Sequence, residues 1–136
     1  MAFFQSAIAS INSAGDLCVA FDERGLGNED IDYVLTADGV AFFECRNRGG
    51  HNPAASNKES VSGFVSGGGT FSSRNGRVRE TICTDGEFPA PSDDINCGQG
   101  QRLVLVRVEY SDILLEDTTN NISIRLPNVS RDFVTS

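Results

Sequence analysis

The spacing of the apolar residues is the feature that most constrains this fold. Nowhere does an i, i+3, i+4 apolar pattern persist for about ten residues, so the sequence predicts almost no helix. Alternation with a period of two recurs instead, most clearly in 17–23, 31–37 and 122–126. Eight or nine short strands separated by Gly, Asn and Asp turns predict an all-β protein, an antiparallel two-sheet sandwich of the immunoglobulin-like class.

Two dipeptides predict tight turns between the strands. Asp38–Gly39 is typical of a β-hairpin and is expected to join strands 31–37 and 40–46, while Asn75–Gly76 is expected to join the next pair. The three glycines 67–69 are expected to interrupt the first strand of that pair. The predicted strands are 5–13, 17–23, 31–37, 40–46, 60–71, 77–83, 102–110 continuing through 113–115, 122–126 and a short last strand at Val129 and Phe133.

Size and charge limit the classes of function. With 136 residues, the chain is expected to form one domain, residues 1–136. A net charge of −8, with Lys58 as the one lysine, argues against nucleic acid as a partner, because phosphates require clustered cations. No apolar run is long enough to span a membrane, and MAFFQSAIAS lacks the basic region of a secretory leader. The sequence does not decide whether a leader was removed during maturation.

Four cysteines, Cys18, Cys45, Cys83 and Cys97, predict two disulfides and an extracellular location. A zinc site is not expected, since there is no C-x-x-C pair and a single histidine. Cys45 and Cys97 each stand where a strand meets a polar loop, which favours pairing them and leaves Cys18 with Cys83. A local Cys83–Cys97 bridge that clamps the proline-containing loop is the alternative.

The residues available for catalysis are few. His51 is the one candidate general base, and no nucleophile motif accompanies it. The acid pairs Glu29/Asp30, Asp93/Asp94 and Glu116/Asp117 stand in predicted turns, where solvated carboxylates are expected. The sequence therefore predicts a protein that is not an enzyme.

Calcium is the one cofactor that the acidic turns could hold, because it prefers several carboxylate and carbonyl oxygens. No complete calcium-loop spacing occurs. The first candidate is GNEDID, with Glu29, Asp30 and Asp32, and the second is EDTTNN, with Glu116, Asp117 and Asn120. Asn121 and Asn128 begin N-x-S sequons, which would be glycosylated only in a eukaryotic secretory pathway.

The 46–58 segment is the candidate ligand-binding region. Its side chains can hydrogen-bond to hydroxyls, carboxylates or carbonyls of a partner, although Asn and Gly are also what an irregular turn requires. The candidate residues are Arg46, Asn47, Arg48, His51, Asn52, Asn57 and Lys58.

Five stretches, in chain order, carry a resemblance to a known group: GLGNEDIDYVLTAD, ECRNRGGHNPAASNK, VSGFVSGGGTFSS, CGQGQRLVLVRVEYSDILLEDTTN and LPNVSRDFV. Together they make the chain similar to small secreted β-sandwich proteins of filamentous actinobacteria. The resemblance implies a secreted protein with a Cys45–Cys97 bridge, and it implies no established activity. Cys18, Cys83, a longer 84–96 loop and the missing leader depart from that group.

Two hypotheses of function follow. In the first, a secreted, non-catalytic module recognises a polar extracellular partner, a glycan, surface polymer or protein, through the 46–58 loop. In the second, the chain is a self-assembling structural subunit, in which segment 2–13 and the exposed sheet edges pair between copies and Phe3 and Phe4 anchor in a neighbour.

Overall fold

A computed structural model describes residues 1–47, 58–84, 97 and 100–133, and the side chains of Asn47 and Lys58 are outside this description. All regular structure in these residues is β, and they contain no helix that could cross a membrane. The strands are β1 (Phe3–Ile11), β2 (Leu17–Arg24), β3 (Asp30–Asn47), β4 (Lys58–Ser72), β5 (Val78–Cys83), β6 (Gln101–Asp117), β7 (Ile122–Leu126) and β8 (Val129–Asp132).

The strands form two antiparallel sheets that pack face to face. The three-stranded sheet has the order β1-β2-β5, and the five-stranded sheet has the order β4-β3-β6-β7, with β8 also paired to β6. Consecutive strands cross between the sheets after β2, β4 and β5, which is a Greek-key arrangement of the immunoglobulin-like kind. The predicted sandwich and its number of strands are confirmed.

The predicted Asp38–Gly39 hairpin is wrong. Both residues lie inside the 18-residue strand β3, which pairs with β4 without a break from Asp30 to Glu44. Gly39 is there for another reason: a Cβ atom at this position would lie 2.9 Å from Cε1 of Tyr110. The missing side chain thus makes room for a buried aromatic ring, and the predicted strands 31–37 and 40–46 are one.

The glycines at 67–69 do not interrupt β4 either. A Cβ at Gly67 would lie 2.3 Å from the carbonyl oxygen of Cys83, and one at Gly68 would lie 2.8 Å from that of Tyr33. Glycine therefore allows β4 to approach β5 closely, where an edge of one sheet meets an edge of the other.

The predicted Asn75–Gly76 turn is present, but the predicted hairpin is not, because the strands on either side of the turn do not pair with each other. Both residues have positive φ, 54° and 75°, and Arg74 and Arg77 exchange backbone hydrogen bonds of 2.9 and 3.0 Å across them. This is the geometry of a type I′ turn. The strands that it connects diverge into different sheets, so the turn makes a corner between the two sheets.

The core lies between the sheets and is built from the inward positions of every long strand. Leu17, Val19 and Phe21 of β2 are buried, as their alternation predicts. Phe4 of β1 lies edge-on to Phe21 with ring centroids 6.3 Å apart. Phe4 therefore packs into the core of its own molecule. β1 begins two residues before the predicted strand and ends at Ile11.

Both predicted disulfides are present. Cys18–Cys83 joins β2 to β5 within the three-stranded sheet, and Cys45–Cys97 joins the end of β3 to the segment before β6. In the chain-entropy model, sequence separations of 65 and 52 residues correspond to about 4 kcal/mol of stabilisation for each bridge.

Candidate functional site

The 46–58 segment connects β3 to β4 at one end of the sandwich. Asn47 pairs with Gln101, the first residue of β6, and the Cys45–Cys97 bridge lies beside this pair. The two longest connections of the chain, β3 to β4 and β5 to β6, therefore begin or end at neighbouring strand termini that a disulfide joins. We call this region, marked by Cys45, Asn47, Lys58, Cys97 and Gln101, the stapled end.

Arg46 is at the stapled end but is not a surface residue. Its side chain is 9% exposed and forms an ion pair of 3.2 Å with Glu44, whose side chain is 14% exposed. Arg46 thus contributes to the base of the loop. The backbones of Asn47 and Lys58 lie in strands, whereas Arg48, His51, Asn52 and Asn57 are outside the described residues, as is the Asp93/Asp94 pair.

The first predicted calcium loop uses its carboxylates within the protein. Ser72 donates to Asp30 at 2.6 Å, and Thr70 donates to Asp32 at 2.5 Å, so each carboxylate accepts a hydrogen bond from β4. Glu29 is exposed, and its amide donates to the Ser73 hydroxyl. Among the described residues, no group of three or more acidic, His or Cys side chains is close enough to hold a metal ion.

The second predicted calcium loop is organised around a buried carboxylate. Asp117 is fully buried and accepts hydrogen bonds of 2.8 Å from both the backbone amide and the side-chain amide of Asn120. This closes the turn between β6 and β7, in which Asn121 has a positive φ of 57°. Asp117 therefore fixes a turn, and its carboxyl group also faces the core.

The most unusual polar group of the core is Glu23, which is fully buried on β2 between the sheets. The hydroxyl of Tyr33 donates to its Oε1 at 2.6 Å, and Tyr33 pairs with Asp117 across β3 and β6. Within the described residues, Oε2 of Glu23 has no hydrogen-bond partner. A proton on Oε2 would let Glu23 donate to Asp117, which satisfies the buried atom.

The pKa of Glu23 is raised to about 8, chiefly by burial and then by the neighbouring Asp117 carboxyl, while the Tyr33 hydrogen bond acts to lower it. The pKa of Tyr33 is raised as well, first by burial and then by Glu23. These shifts describe an acid that stays protonated near neutral pH. Glu23 and Asp117 are both fully buried, so a substrate does not reach the pair in this conformation.

Arginines surround Asp22 near the end of β2, whereas Cys18 lies near its start. Arg77 binds the Asp22 carboxylate through Nε and Nη2, at 3.0 and 2.8 Å, and Arg24 approaches the same oxygens at 3.5 and 3.2 Å. Arg79 lies next to Asp22 across the β2–β5 pair. The hydrogen bonds from Arg77, then those from Arg24, lower the pKa of Asp22 to about 2.

These arginines border an open hollow on the outer face of the three-stranded sheet. Between the arginines it is lined by three small side chains, Ser6, Ala20 and Thr81, and by the exposed Ile8, and its volume is about 640 Å³. We call the surface formed by Arg24, Arg77 and Arg79 around Asp22 the arginine hollow. The sequence places Arg74, Arg77 and Arg79 close together. Asp22 and Arg24 of β2 join them only because β2 pairs with β5.

No family model matches this chain, and neither the curated proteins nor the solved structures contain a significant match to it.

Proposed function

We propose that the protein is a non-catalytic binding module of the extracellular space. It recognises a polar partner, a glycan, surface polymer or protein, through the 46–58 segment. The observation that carries this proposal is the stapled end, where the two longest connections meet at adjacent strand termini joined by Cys45–Cys97. A rigid sheet that presents neighbouring loops is a common way to build a binding surface.

The disulfides support the extracellular part of this proposal, because such bridges persist in oxidising compartments. All four cysteines are bridged. The sequence similarity to secreted β-sandwich proteins of actinobacteria agrees with this location and stays a prediction.

The buried Arg46–Glu44 pair supports the role of the loop as a presented surface. Both residues lie in β3, so the pair holds the Arg46 side chain against the strand from which the segment begins. A binding loop that starts from a rigid base loses less conformational entropy when it binds.

The test compares the wild-type protein with an Arg48→Ala/Asn52→Ala variant on an array of neutral polysaccharides. We expect the wild type to bind at least one polymer and the variant to bind it at least tenfold more weakly, about the effect of losing one charge-assisted hydrogen bond. A matched control, Arg125→Ala/Asn28→Ala, removes the same residue types from exposed positions elsewhere. Equal binding by all three proteins would refute the role of the loop.

A second candidate function, self-assembly, is favoured by strand β1. This strand is an edge of the three-stranded sheet, its nine residues carry no charge, and Phe3 and Ile8 are 48% and 68% exposed. An uncharged edge strand is able to pair with another copy. Phe3 and Phe4 were both predicted to anchor in a neighbouring copy. Only Phe3 keeps this role, because Phe4 is part of the core.

Light scattering over a range of protein concentrations tests this alternative. If β1 mediates assembly, an Ile8→Lys variant dissociates at concentrations at which the wild type is oligomeric. Val34→Lys, at a 38% exposed position of the five-stranded sheet, is the control. A wild-type protein that stays monomeric at the highest concentration excludes self-assembly.

A further inference from the structure

The arginine hollow has no part in the proposed function: it lies near the end of β2 that leads into the start of β3, whereas the stapled end is at the opposite terminus of this 18-residue strand. The chain has 11 basic residues, of which Lys58 is the one lysine, and three of the ten arginines lie in this hollow. The net charge of the whole chain is −8. Three guanidinium groups there face two carboxylates, Asp22 and Glu80. The local balance is therefore opposite in sign to that of the whole protein.

Asp22 holds two of the guanidinium groups in place while leaving most of their donors unused. An arginine has five N–H donors, and each of Arg24 and Arg77 directs two atoms at the Asp22 carboxylate. The Asp22 side chain is 9% exposed, whereas those of Arg24 and Arg77 are 43% and 39% exposed. The carboxylate thus lies beneath two partly exposed, preoriented cations.

Arg79 and Arg74 add donors that the described part of the protein does not use. Both side chains are exposed, and neither forms an ion pair or side-chain hydrogen bond with any described residue. Arg79 borders the arginine hollow and a neighbouring hollow of about 560 Å³, which Arg74 also borders.

The three hollows are neighbours on the surface. Arg77 borders three of them, and the third, of about 670 Å³, runs over the β4–β5 turn between Arg24 and Arg74. All three are open surface depressions and not enclosed pockets. Such a shape fits an extended chain that bears anionic groups at intervals better than a single small anion, which an open surface would hold weakly.

We propose that the arginine hollow binds the carboxylate or sulfate groups of an acidic polysaccharide. The forked guanidinium donors match the two oxygens of such groups. The small side chains of Ser6, Ala20 and Thr81 leave space for a sugar ring beside the exposed apolar side chain of Ile8. A nucleic acid fits less well, because its dense phosphates meet the repulsion of a protein with a net charge of −8.

The test measures binding of the wild-type protein to immobilised heparin, which carries sulfates, and polygalacturonate, which carries carboxylates, with neutral dextran as the control polymer. We expect binding to at least one acidic polymer, none to dextran, and weakening as salt increases. The arm that binds identifies the anionic group. A wild-type protein that binds neither acidic polymer overturns the proposal.

Arg79→Gln is the decisive variant, because this exposed side chain has no described partner and its loss leaves the Asp22 cluster intact. We expect Arg79→Gln to bind the acidic polymer about tenfold more weakly than the wild type, and Arg79→Lys to have an intermediate affinity. The matched control Arg125→Gln should bind as tightly as the wild type. Equal binding by Arg79→Gln and Arg125→Gln would overturn the proposal.

Two further comparisons define the occupant and separate this site from the stapled end. A double-stranded DNA oligonucleotide that binds as tightly as either polymer would contradict the assignment to a polysaccharide. Arg48→Ala/Asn52→Ala is expected to keep wild-type binding to heparin or polygalacturonate. If this variant loses the binding and Arg79→Gln retains it, the acidic polymer belongs to the stapled end and the inference is wrong.

Discussion

The hydroxyl of Tyr33 donates a 2.6 Å hydrogen bond to Oε1 of Glu23 across the interface between the two sheets. Tyr33 also packs between two phenylalanines, with ring centroids 4.6 Å from Phe21 and 6.0 Å from Phe71. The bond therefore places a carboxyl group inside an aromatic part of the core. The pH dependence of stability follows from this position.

Folding stability is expected to fall as the pH rises from about 4.5 to about 8. The pKa of Glu23 is about 8 in the folded protein and near 4.5 without the fold, so the folded state retains a proton that the unfolded state has lost. The contribution is complete below 4.5 and is lost as the pH rises through 8, by roughly 1.4 kcal/mol per pH unit.

Glu23→Gln isolates this contribution, because the amide accepts from Tyr33, donates to Asp117 and does not titrate. Urea denaturation of both proteins from pH 4 to pH 9 is expected to show the variant gaining stability relative to the wild type as the pH rises. Glu29→Gln, at an exposed position, serves as the control. A Glu23→Gln curve parallel to that of the wild type would show that Glu23 is already ionised.

Asp22→Asn is expected to show the opposite pH dependence. The pKa of Asp22 is about 2, below its usual 3.8, because Arg77 and Arg24 stabilise the carboxylate. Its contribution is therefore present above pH 3.8 and is lost as the pH falls towards 2. Thermal unfolding should show the variant less stable than the wild type at pH 6, with the difference shrinking near pH 2. A difference that does not change with pH would argue against the ion pairs.

Gly39→Ala tests the continuous strand β3. The new methyl group would meet the Tyr110 ring at 2.9 Å, and this ring is fixed by a 2.6 Å hydrogen bond from its hydroxyl to the carbonyl of Gly15. We expect a loss of about 1–3 kcal/mol in the free energy of unfolding. Gly27→Ala, where no atom lies within 4 Å of the added Cβ, should be close to neutral.

A double variant separates this clash from a turn effect. In a Tyr110→Leu background the ring is absent, so Gly39→Ala should cost much less than in the wild type. An equal cost in both backgrounds would mean that Gly39 is needed for its backbone conformation, as in the hairpin that the sequence predicts.

Removal of either disulfide is expected to destabilise the protein to a similar extent. Cys18→Ser/Cys83→Ser and Cys45→Ser/Cys97→Ser should each lose about 4 kcal/mol, since the two bridges close loops of similar length. Chemical denaturation measures the loss, and non-reducing peptide mapping of the wild-type protein checks both bridges. A fragment that links Cys83 to Cys97 would contradict the pairing.

Much of the fold could be predicted because local sequence determines it. Alternation identified β2 and β7, and Asn75–Gly76 identified a turn in which both residues need positive φ. In both cases the signal lies within a few residues of the structure that it predicts. The cysteine pairing followed from Cys45 and Cys97, which each stand where a strand meets a polar loop and so leave Cys18 with Cys83.

The errors arose where a residue serves a distant partner. Gly39 is required by Tyr110, which is far along the chain, and Gly67 by the backbone of Cys83, so neither glycine marks a local change of direction. Sequence alone shows that a glycine is present, but not which side chain or backbone needs the space.

The same reason explains which site residues could be predicted. The pairing of Glu23 with Tyr33 and Asp117 requires the registers of β3 and β6 and the packing of the sheets, and no local pattern distinguishes Glu23 from a surface acid. Asp22 and Arg24 alternate on one face of β2, which was the one available signal for their role in the arginine hollow.

Hydrogen exchange is the most direct test of the proposed function. The protein is compared with and without the array polysaccharide that retains it, and exchange is followed in the peptides that cover 46–58 and 78–83. We expect slower exchange in 46–58 when the polymer is bound, and no such slowing in Arg48→Ala/Asn52→Ala. Unchanged exchange in 46–58 while the polymer is bound would contradict it.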